Sequence, residues 1–585
     1  MIGVPGAGVE EQRNLMENSV REMIDHAYSN YMDVAFPHDE LKPIAKTYTD
    51  SLGELGNVKG LAGNKGYSGV ALTLIDALST LAVIEDAARF HEAVSWLTKN
   101  LSFDVDVRVN VFEANIRLLG GLLSAHLLAA DPVHGPKLMP EGAYSGGLHG
   151  VFQNETEVET NTAACGSFTI EMGVLSRLTG LPQFEYHAKR SLQVLWSMRT
   201  PLGLFGTALD MQRAVWLDPN GGIGASADSF YEYLLKAYIL FGEMEYWEMF
   251  QAAYTAAIRH YRDGTWYPQA DIWMGAHTHL QFTSLQAFWP GMQVLAGDVK
   301  AAAESFAAFF GVWQRFGLLP ERYLYGGNGA LHSTEQYYPL RPELMESAFY
   351  LHQATGDVAY MQAGQHMLES LNRHARVDGG YASVRSVGSM EKEDHMHSFF
   401  LAETCKYLFL LANDSFWKGG NYVFTTEGHP IPGVRRVYHV PLEWGTLHAN
   451  ASALDALVCP DFTQVSTVES TCHIRDRNGD GSCGANEDCG VDGSSCRQRS
   501  CSEHGFCVAQ RDVLVQHINQ PIVIHQAGQP AVHMQGMQVQ GLQVQEVAGQ
   551  EAMQGFMKII LQVQQHLQQR LPASSGGSGT MQQEM

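Results

Sequence analysis

The segment YPLRPELMES, residues 338–347, decides how the rest of the chain is interpreted. Pro342 fits the first position of a helix, where the missing N–H costs no hydrogen bond. Leu344 and Leu351 give the following turns an apolar side, and Gly356-Asp357 ends the run. An arginine and two carboxylates therefore lie in or beside a first helical turn. They either complement the helix dipole or form a catalytic carboxylate beside an arginine, and this segment alone leaves both interpretations open.

The composition bounds the class of protein. The chain has 585 residues, of which 45% are hydrophobic, so it can bury a sizeable core. Lys and Arg number 38 against 62 Asp and Glu, giving a formal charge of −24, which argues against a nucleic-acid partner. Because Asp76 interrupts the most apolar run, residues 70–84, we expect no transmembrane segment.

Helical periodicity and glycine turns organise most of the chain. Tight turns at Gly180, Gly242, Gly297-Asp298 and Gly356-Asp357 recur about every 60 residues, as in stacked αα units. Such units form either an open solenoid or a closed toroid of inner and outer helices, and periodicity alone leaves both possible. The predicted helices are 71–88, 111–128, 168–178, 184–198, 229–241, 246–261, 285–295, 299–316, 344–354, 359–374 and 399–411.

Acids recur near the starts of the helices that follow long loops. Glu113 and Arg117 lie one turn apart, Asp228 follows a glycine-rich loop, and Glu403 comes shortly after Phe399. If the units close into a ring, these helix ends meet at one mouth. Acids, arginines and aromatic rings in one pocket suit a sugar, and two acids can supply the general acid and base of glycoside hydrolysis. Each acid taken singly is equally explained as a capping residue.

Eight motifs in order, spanning about residues 15 to 432, carry a family resemblance. They are 35–37 with 39–41, 72–78, 111–123, 227–236, 284–291, 339–347, 398–411 and 424–430. With these motifs the chain resembles glycoside hydrolase family 47, the α-1,2-mannosidases, and within it the ER degradation-enhancing α-mannosidase-like proteins. The resemblance implies an all-α fold, an (α/α)7 barrel, and so selects the toroid. It also implies inversion at the anomeric carbon and a bound calcium ion (Ca²⁺).

The resemblance assigns the catalytic residues by motif. It implies that Glu113 is the general acid, Glu343 the general base and Asp228 the third catalytic acid. Arg117 and Arg341 resemble the arginines that orient these acids and the sugar hydroxyls.

The resemblance also assigns the substrate pocket and the metal. Phe399 resembles the aromatic floor under the sugar, and Glu346 and Glu403 resemble acids that contact the substrate around the metal. Thr426 resembles the residue that holds Ca²⁺ through its backbone carbonyl and hydroxyl, with Glu427 near the calcium shell.

The sequence departs from the family pattern in four places. Residues 126–152 are shorter than the pattern by about one helix. Ser79 stands where the family usually has Asp, and His397 where it usually has Glu. No cysteine lies near residues 41–61, so the usual barrel disulfide is in doubt.

The composition divides the chain into four parts. We expect the catalytic domain at 11–432, a linker at 433–470, a cysteine-rich module at 471–507 and a Gln-rich, partly disordered tail at 508–585. Seven of the nine cysteines lie between Cys459 and Cys507. Their density predicts disulfides, and by resemblance one of them could pair with a thiol oxidoreductase.

The module also contains the spacing of a twelve-residue calcium loop. The interpretation of a second Ca²⁺ site and that of an acidic turn held by disulfides both stay open. The five candidate ligands are Asp476, Asn478, Asp480, Ser482 and Glu487.

Location and function follow from these features together. Residues 1–8 lack the basic start and apolar core of a signal peptide, so either the protein is cytosolic or this sequence lacks its true start. The cysteines and the resemblance favour the lumen of the endoplasmic reticulum. We expect a Ca²⁺-dependent inverting exo-α-1,2-mannosidase that trims high-mannose N-glycans in ER-associated degradation (ERAD) of misfolded glycoproteins. The alternative is a lectin-like receptor that binds mannose or misfolded glycoproteins without turnover.

Overall fold

The fold is known from a computed structural model that describes residues 8–55, 67–103, 109–131, 138, 159–211, 213–418, 420–433, 499–501 and 507–509. Within these residues the chain alternates between helices of an inner ring and helices packed outside it. The helices are α1 (Val9–Asn30), α2 (Ser51–Leu55), α3 (Leu72–Val83), α4 (Ala87–Asn100), α5 (Val111–Glu113), α6 (Gly120–Ala130), α7 (Thr162–Gly166), α8 (Thr169–Thr179), α9 (Gln183–Ser197), α10 (Asp228–Phe241), α11 (Met244–Tyr261), α12 (Trp289–Leu295), α13 (Val299–Phe316), α14 (Glu343–Thr355), α15 (Val358–His374), α16 (Cys405–Ala412) and α17 (Ser415–Lys418).

The inner ring closes, as the family resemblance predicts. Its seven members among the described residues are α3, α6, α8, α10, α12, α14 and α16. Helix α3 packs against α6 on one side and against the π-helical turn Phe400–Thr404, which leads into α16, on the other. The step from α10 to α12 is made by Tyr231 and Trp289, whose ring centroids lie 5.5 Å apart, edge to face. The chain is therefore a toroid and not an open solenoid.

Burial distinguishes inner from outer helices. Every residue of α3 is buried, whereas the outer helix α4 buries only Phe90, Ala93 and Leu97, at three-four spacing. A helix enclosed on all sides has no polar face, and one packed on a ring has a single apolar stripe. The described outer helices are α1, α4, α9, α11, α13 and α15.

The predicted turns are confirmed, with one correction. Gly180, Gly242 and Gly356 end α8, α10 and α14 with φ of 71°, 72° and 67°, a backbone conformation that glycine adopts without strain. Pro342 is not the first helical residue. It precedes α14 by one position, and its carbonyl accepts from the N–H groups of Met345 and Glu346.

Short antiparallel strands fill the long loops, for which the sequence analysis predicted no strands. They are β1 (Glu40–Lys42), β2 (Thr47–Thr49), β3 (Glu159–Asn161), β4 (Ala208–Asp210), β5 (Val215–Trp216), β6 (Asn220–Gly221), β7 (Gln269–Asp271), β8 (His277–His279), β9 (Gln281–Thr283), β10 (Arg322–Leu324), β11 (Ala330–Leu331), β12 (Arg376–Val377), β13 (Gly380–Tyr381), β14 (Ser383–Ser386), β15 (Glu391–Glu393), β16 (Tyr422–Phe424), β17 (Pro430–Pro432), β18 (Arg499–Cys501) and β19 (Cys507–Ala509). Strands β3 to β15 precede the starts of inner helices, so they surround the mouth where those helices begin.

The hairpin β16–β17 enters the barrel. It pairs Phe424 with Pro430, and it packs against α6 and α10. Its tip, residues 425–429, includes Thr425, Glu427 and His429, which are all buried. The hairpin thus brings polar groups to the centre of the inner ring.

Several expectations fall outside the described residues. Between Asp131 and Glu159 only Leu138 is described, so the shortened segment cannot be compared with the family pattern. The linker, the calcium-like loop at 476–487 and the tail also lie outside, and strands β18 and β19 are the described part of the cysteine-rich module. In the barrel, Cys165 and Cys405 are not in disulfides.

One helical stretch meets the length and composition of a membrane span. It is Val111–Ala130, which is mostly buried in the inner ring and carries Glu113 and Arg117. Its apolar character is explained by burial within the protein.

Candidate active site

Three acids lie where inner helices begin at one mouth of the barrel. Glu113 ends the first turn α5, which Asn110 caps by accepting the N–H of Phe112 at 3.0 Å. Asp228 is the first residue of α10, and Glu343 is the first residue of α14. The structure therefore places each predicted catalytic acid in the first turn of a helical segment, with Glu113 in the turn that leads into α6.

Arg117 joins acids from distant parts of the chain. Its Nε donates to Glu113 Oε2 at 2.8 Å, and its Nη1 donates to Glu427 of the hairpin tip. The same Nη1 lies 3.2 Å from Ser398 Oγ and 3.5 Å from Asp76 Oδ2. Arg117 lies on the π-helical turn Ala114–Leu119, a widened turn of a kind common at functional sites.

Arg341 is held by an acid that the sequence analysis missed. Its Nε and Nη2 donate to the two carboxylate oxygens of Glu321 at 2.7 and 2.9 Å, which is a bidentate pair. Ser284 Oγ donates to the same carboxylate at 2.7 Å. Arg341 Nη1 then lies 4.0 Å from Glu343 Oε1, so the guanidinium is fixed beside the predicted base.

Burial gives the acids of the site unusual proton affinities. It raises the pKa of both Asp228 and Glu343 to about 7, although Arg341 opposes the shift in each case. It raises the pKa of Glu346 to about 8, against the attraction of Lys236. The pKa values of Glu403 and Glu427 are also raised well above the usual range, first by burial; for Glu403 the next cause is the charge of Glu427.

Glu343 also has an unused hydrogen-bond acceptor. Its Oε2 is buried and has no partner among the described residues. A buried carboxylate oxygen without a partner is costly, so such an atom commonly serves a ligand, an ion or a water. This oxygen is available for chemistry at the mouth of the barrel.

Two buried lysines neutralise only part of the negative charge of these acids. Lys236 lies between Glu232 and Glu346, at 3.6 Å from the latter. Lys406 donates to the carbonyl of Gly428 at 2.6 Å and to Ser79 Oγ at 2.8 Å, and burial lowers its pKa to about 7. Ser79, in place of the family's usual Asp, thus gives Lys406 a neutral partner.

The donor set suits a hard cation. Thr426 lies at the hairpin tip, where its N–H donates to Tyr233 Oη at 3.3 Å. Near this tip the buried carboxyls of Glu346, Glu403 and Glu427 interact with further acids, and the nearby cations Arg117, Lys236 and Lys406 are fewer than these acids. Oxygen donors together with uncompensated negative charge are the environment that Ca²⁺ prefers.

Phe399 lies in the same centre. Arg117 Cζ is 5.5 Å from the centroid of its ring. His397 stacks on it with centroids 4.9 Å apart and planes 9° apart, and burial lowers the pKa of His397 to about 3. The stacked imidazole replaces the carboxylate that the family usually carries at this position.

The predicted residues of the barrel form one connected group. Arg117 links Glu113 to Glu427, the charge of Glu427 acts on Glu403, and the charge of Glu343 acts on Glu346. The possible second calcium ligands lie outside the described residues.

Sequence reasoning missed several members of the group. Asp76 could have been noticed in the sequence, because it is the one charged residue of helix α3. Glu232 and Lys236 could also have been noticed, because they form an i,i+4 pair of opposite charge. No sequence pattern indicated Glu321, because it lies in a loop 20 residues before its partner Arg341.

Comparisons with known proteins identify relatives of the whole barrel. The sequence model described as Glycosyl hydrolase family 47 matches residues 23–145 and 136–433. The chain is similar to "Alpha-mannosidase I MNS5" of Arabidopsis thaliana, with 49% identity over 542 residues, 85% of this chain and 94% of that protein. It is also similar to "ER degradation-enhancing alpha-mannosidase-like protein 2" of Mus musculus, with 37% identity over 73% of this chain and 80% of that protein.

A solved structure has the same fold. It is an alpha-1,2-mannosidase from Trichoderma reesei, which aligns with a TM-score of 0.60 and 23% identity over 72% of this chain and 99% of that structure. The likeness supports the barrel architecture and, at this identity, nothing finer.

Proposed function

Because the chain belongs to glycosyl hydrolase family 47 and is a glycosidase, we propose that it is a Ca²⁺-dependent inverting exo-α-1,2-mannosidase acting on high-mannose N-glycans. The observation that carries this proposal is the convergence of Glu113, Asp228 and Glu343 at one mouth, with two fixed arginines beside them.

The acids divide the proton transfers of an inverting reaction. One group donates a proton to the leaving oxygen and another removes a proton from the attacking water. Glu113 is the proposed donor, and Arg117 fixes its carboxyl at 2.8 Å. Glu343 is the proposed acceptor, because its buried Oε2 has no partner in the described structure and can hold a water.

Asp228 is the third acid of the proposed catalytic group, and it holds a proton beside the base Glu343. Burial is the main cause of the raised pKa of Glu343, and the charge of Asp228 adds to it, so the two carboxyls do not readily ionise together. With its own pKa near 7, Asp228 keeps a proton close to neutral pH and can support Glu343 as the base.

Ca²⁺ is the proposed cofactor. Thr426 would hold the ion, with Glu427 nearby and Glu346 and Glu403 around the sugar and ion. Bound there, the ion would offer positive charge to sugar hydroxyls and would lower the pKa of the surrounding carboxyls. The stacked ring of Phe399 then forms the floor under the mannose, and Arg117 and Arg341 hold the acids in place.

The cellular role is proposed from the relatives. Several are named ER degradation-enhancing alpha-mannosidase-like proteins, so we place this chain in the lumen of the endoplasmic reticulum, trimming glycans of misfolded glycoproteins for ERAD. A thiol oxidoreductase bound through a tail cysteine stays a prediction, as does the second Ca²⁺ site at 476–487.

The test is release of mannose from a glycoprotein carrying high-mannose glycans. The full chain, co-expressed with an oxidoreductase, is assayed with and without a calcium chelator, beside Glu113→Gln and Glu343→Gln. We expect calcium-dependent release that falls by about 100- to 10,000-fold in each variant, the usual contribution of a general acid or base. Glu245→Gln, an exposed acid of the outer helix α11, is the control and should trim normally.

The alternative function, a lectin-like receptor, predicts a different result in this assay. Retained glycan binding with no mannose release by the wild-type chain would establish the lectin-like receptor and reject the enzyme. Release that survives in Glu343→Gln would reject the role of that residue while leaving the substrate assignment intact.

A further inference from the structure

A cluster of Glu40, His395 and His397 lies beside the sugar pocket and is not used by the mannosidase chemistry. One ligand atom of each residue lies within 4.8 Å of the others. Glu40 is buried, whereas the two imidazoles are 25% and 28% exposed, so solvent reaches one side of the cluster.

Backbone pairing brings the three side chains together. Leu41 on β1 forms an antiparallel bridge with Met396, and the N–H of Met396 donates to the Leu41 carbonyl at 2.9 Å. Successive side chains of an extended segment point to opposite faces, so His395 and His397 share one face while Met396 points to the other. Glu40, next to Leu41, lies on the same face as the two histidines.

The donor spacing fits one metal ion. Glu40 Oε2 lies 2.6 Å from His395 Nε2 and 3.9 Å from His397 Nδ1. Zinc binds imidazole nitrogen and carboxylate oxygen at about 2.0 to 2.2 Å, so neighbouring tetrahedral ligands are roughly 3.3 Å apart. The two distances bracket that spacing, so adjustments of under about 1 Å bring the carboxylate oxygen to the ligand spacing with each histidine.

A backbone hydrogen bond also orients the Glu40 carboxylate. Glu40 Oε1 accepts the backbone N–H of Ser398 at 2.7 Å, which leaves Oε2 for the histidines. The carbonyl of His395 is held by the N–H and the hydroxyl of Ser383, both at 2.9 Å. The bond to Glu40 is of a kind typical of metal-ligating carboxylates, and the bonds to His395 fix the backbone that carries its imidazole.

We propose that Glu40, His395 and His397 bind a divalent transition-metal ion of the zinc type at the mouth of the barrel. Two imidazoles and one carboxylate select such an ion over Ca²⁺, which prefers oxygen ligands. Three protein ligands leave a coordination position open to water. The site is separate from the proposed calcium site, since its ligands come from β1 and the segment after β15 and not from the β16–β17 hairpin. It stands independently of the proposed mannosidase activity.

The test is a titration of the purified full chain with Zn²⁺ in the presence of excess Ca²⁺. The wild-type chain should bind one more equivalent of Zn²⁺ than His397→Gln, with an affinity at least tenfold above that of any residual binding by the variant at this site. Cysteines of the tail are present in both proteins, so their zinc binding cancels in the difference. His366→Gln, on the outer helix α15, is the matched control and should retain the full stoichiometry.

Circular dichroism of each variant verifies that it folds. His395→Gln serves as a second ligand variant, because it leaves the contact between Glu40 and Ser398 in place. Equal zinc stoichiometry and affinity in the wild-type chain and both ligand variants would overturn the proposal. Loss of one equivalent in both ligand variants, with none lost in His366→Gln, would establish it.

Discussion

At the scale of single residues, Arg117 is the member that holds the site together. Its guanidinium reaches the proposed acid Glu113, the hairpin residue Glu427 and the buried Asp76. The planar guanidinium has five N–H donors in a fixed fork, so it suits several acceptors spread around it better than the compact ammonium of a lysine. The geometry of the acids therefore depends on arginine contacts as much as on the helices that carry them.

Glu321 supports the second arginine in the same manner. Glu321→Gln should destabilise the protein by about 3 kcal/mol, because it leaves Arg341 largely buried without its bidentate partner. Mannose release should also fall, since Arg341 would no longer be fixed beside Glu343. Chemical denaturation and the mannose assay measure the two effects.

Glu335→Gln is the matched control for that prediction. Glu335 pairs with Arg322, and both side chains are about one third exposed, so its loss should cost less than about 1 kcal/mol. If both variants lose the same stability, the Arg341–Glu321 pair has no special role.

The residue level also shows the limits of sequence reasoning. The positions of Glu113, Asp228 and Glu343 near helix starts were predictable, because each belongs to a motif that begins a helix, while their catalytic roles stay predictions. Glu321 was not, because its contact with Arg341 depends on how the strands of a loop fold back. Glu40, His395 and His397 meet only through a long-range bridge between β1 and the segment after β15, which no local pattern records.

At the scale of elements, helices were predicted better than strands. The eleven helical runs found by periodicity all correspond to helices, since burial imposes a repeat on 7 to 18 residues. Among the longer helices, α1 and α4 were not set out as separate runs, and the predicted run 71–88 is wrong at its end, because α3 stops at Val83 and a turn separates it from α4. The strands have two to four residues each, too few for an alternating pattern to be distinguished from a polar loop.

The β16–β17 hairpin is the element that positions the proposed calcium site. Gly428 at its tip has φ of 65°, and a Cβ there would come within 2.9 Å of Glu403 Cγ. Gly428→Ala should therefore cost about 1 to 2 kcal/mol from backbone conformation and, in addition, displace Glu403. We expect weaker calcium binding and slower trimming, measured by calorimetry and the mannose assay.

Gly356→Ala is the control that distinguishes backbone strain from displacement of Glu403. Gly356 has φ of 67°, but a Cβ there would meet nothing within 4 Å. This variant should lose comparable backbone stability and keep its calcium affinity. Equal calcium affinity in both variants would contradict the assignment of the hairpin tip to the ion.

At the scale of the whole molecule, the barrel concentrates buried acids that repel one another. Glu343 and Asp228, with pKa values of about 7, hold protons in the folded chain that they release near pH 4 when unfolded. The folded state thus binds more protons between about pH 4.5 and 7. The contribution of these two acids to the free energy of unfolding therefore falls as the pH rises through that window.

This sign gives a prediction about calcium and pH. The melting temperature of the calcium-free protein should fall between pH 5 and pH 8, and less steeply in Glu343→Gln. Calcium binds ionised carboxylates, so its stabilisation should grow over the same range and reach about 2.7 kcal/mol at 100 times its dissociation constant. Thermal melts with and without calcium measure both trends. The carboxyls proposed around the ion, Glu346, Glu403 and Glu427, also have raised pKa values, so a calcium effect that is constant with pH would exclude them from the calcium site.

The most direct measurement for the whole account is the configuration of the mannose first released from an α-1,2-linked glycan. Proton NMR during the first minutes of the reaction distinguishes the anomers before they equilibrate. If Glu113 donates a proton and Glu343 activates water on the opposite face, the first product is β-mannose. Early accumulation of α-mannose, or no mannose from a folded, calcium-loaded chain, would contradict the account.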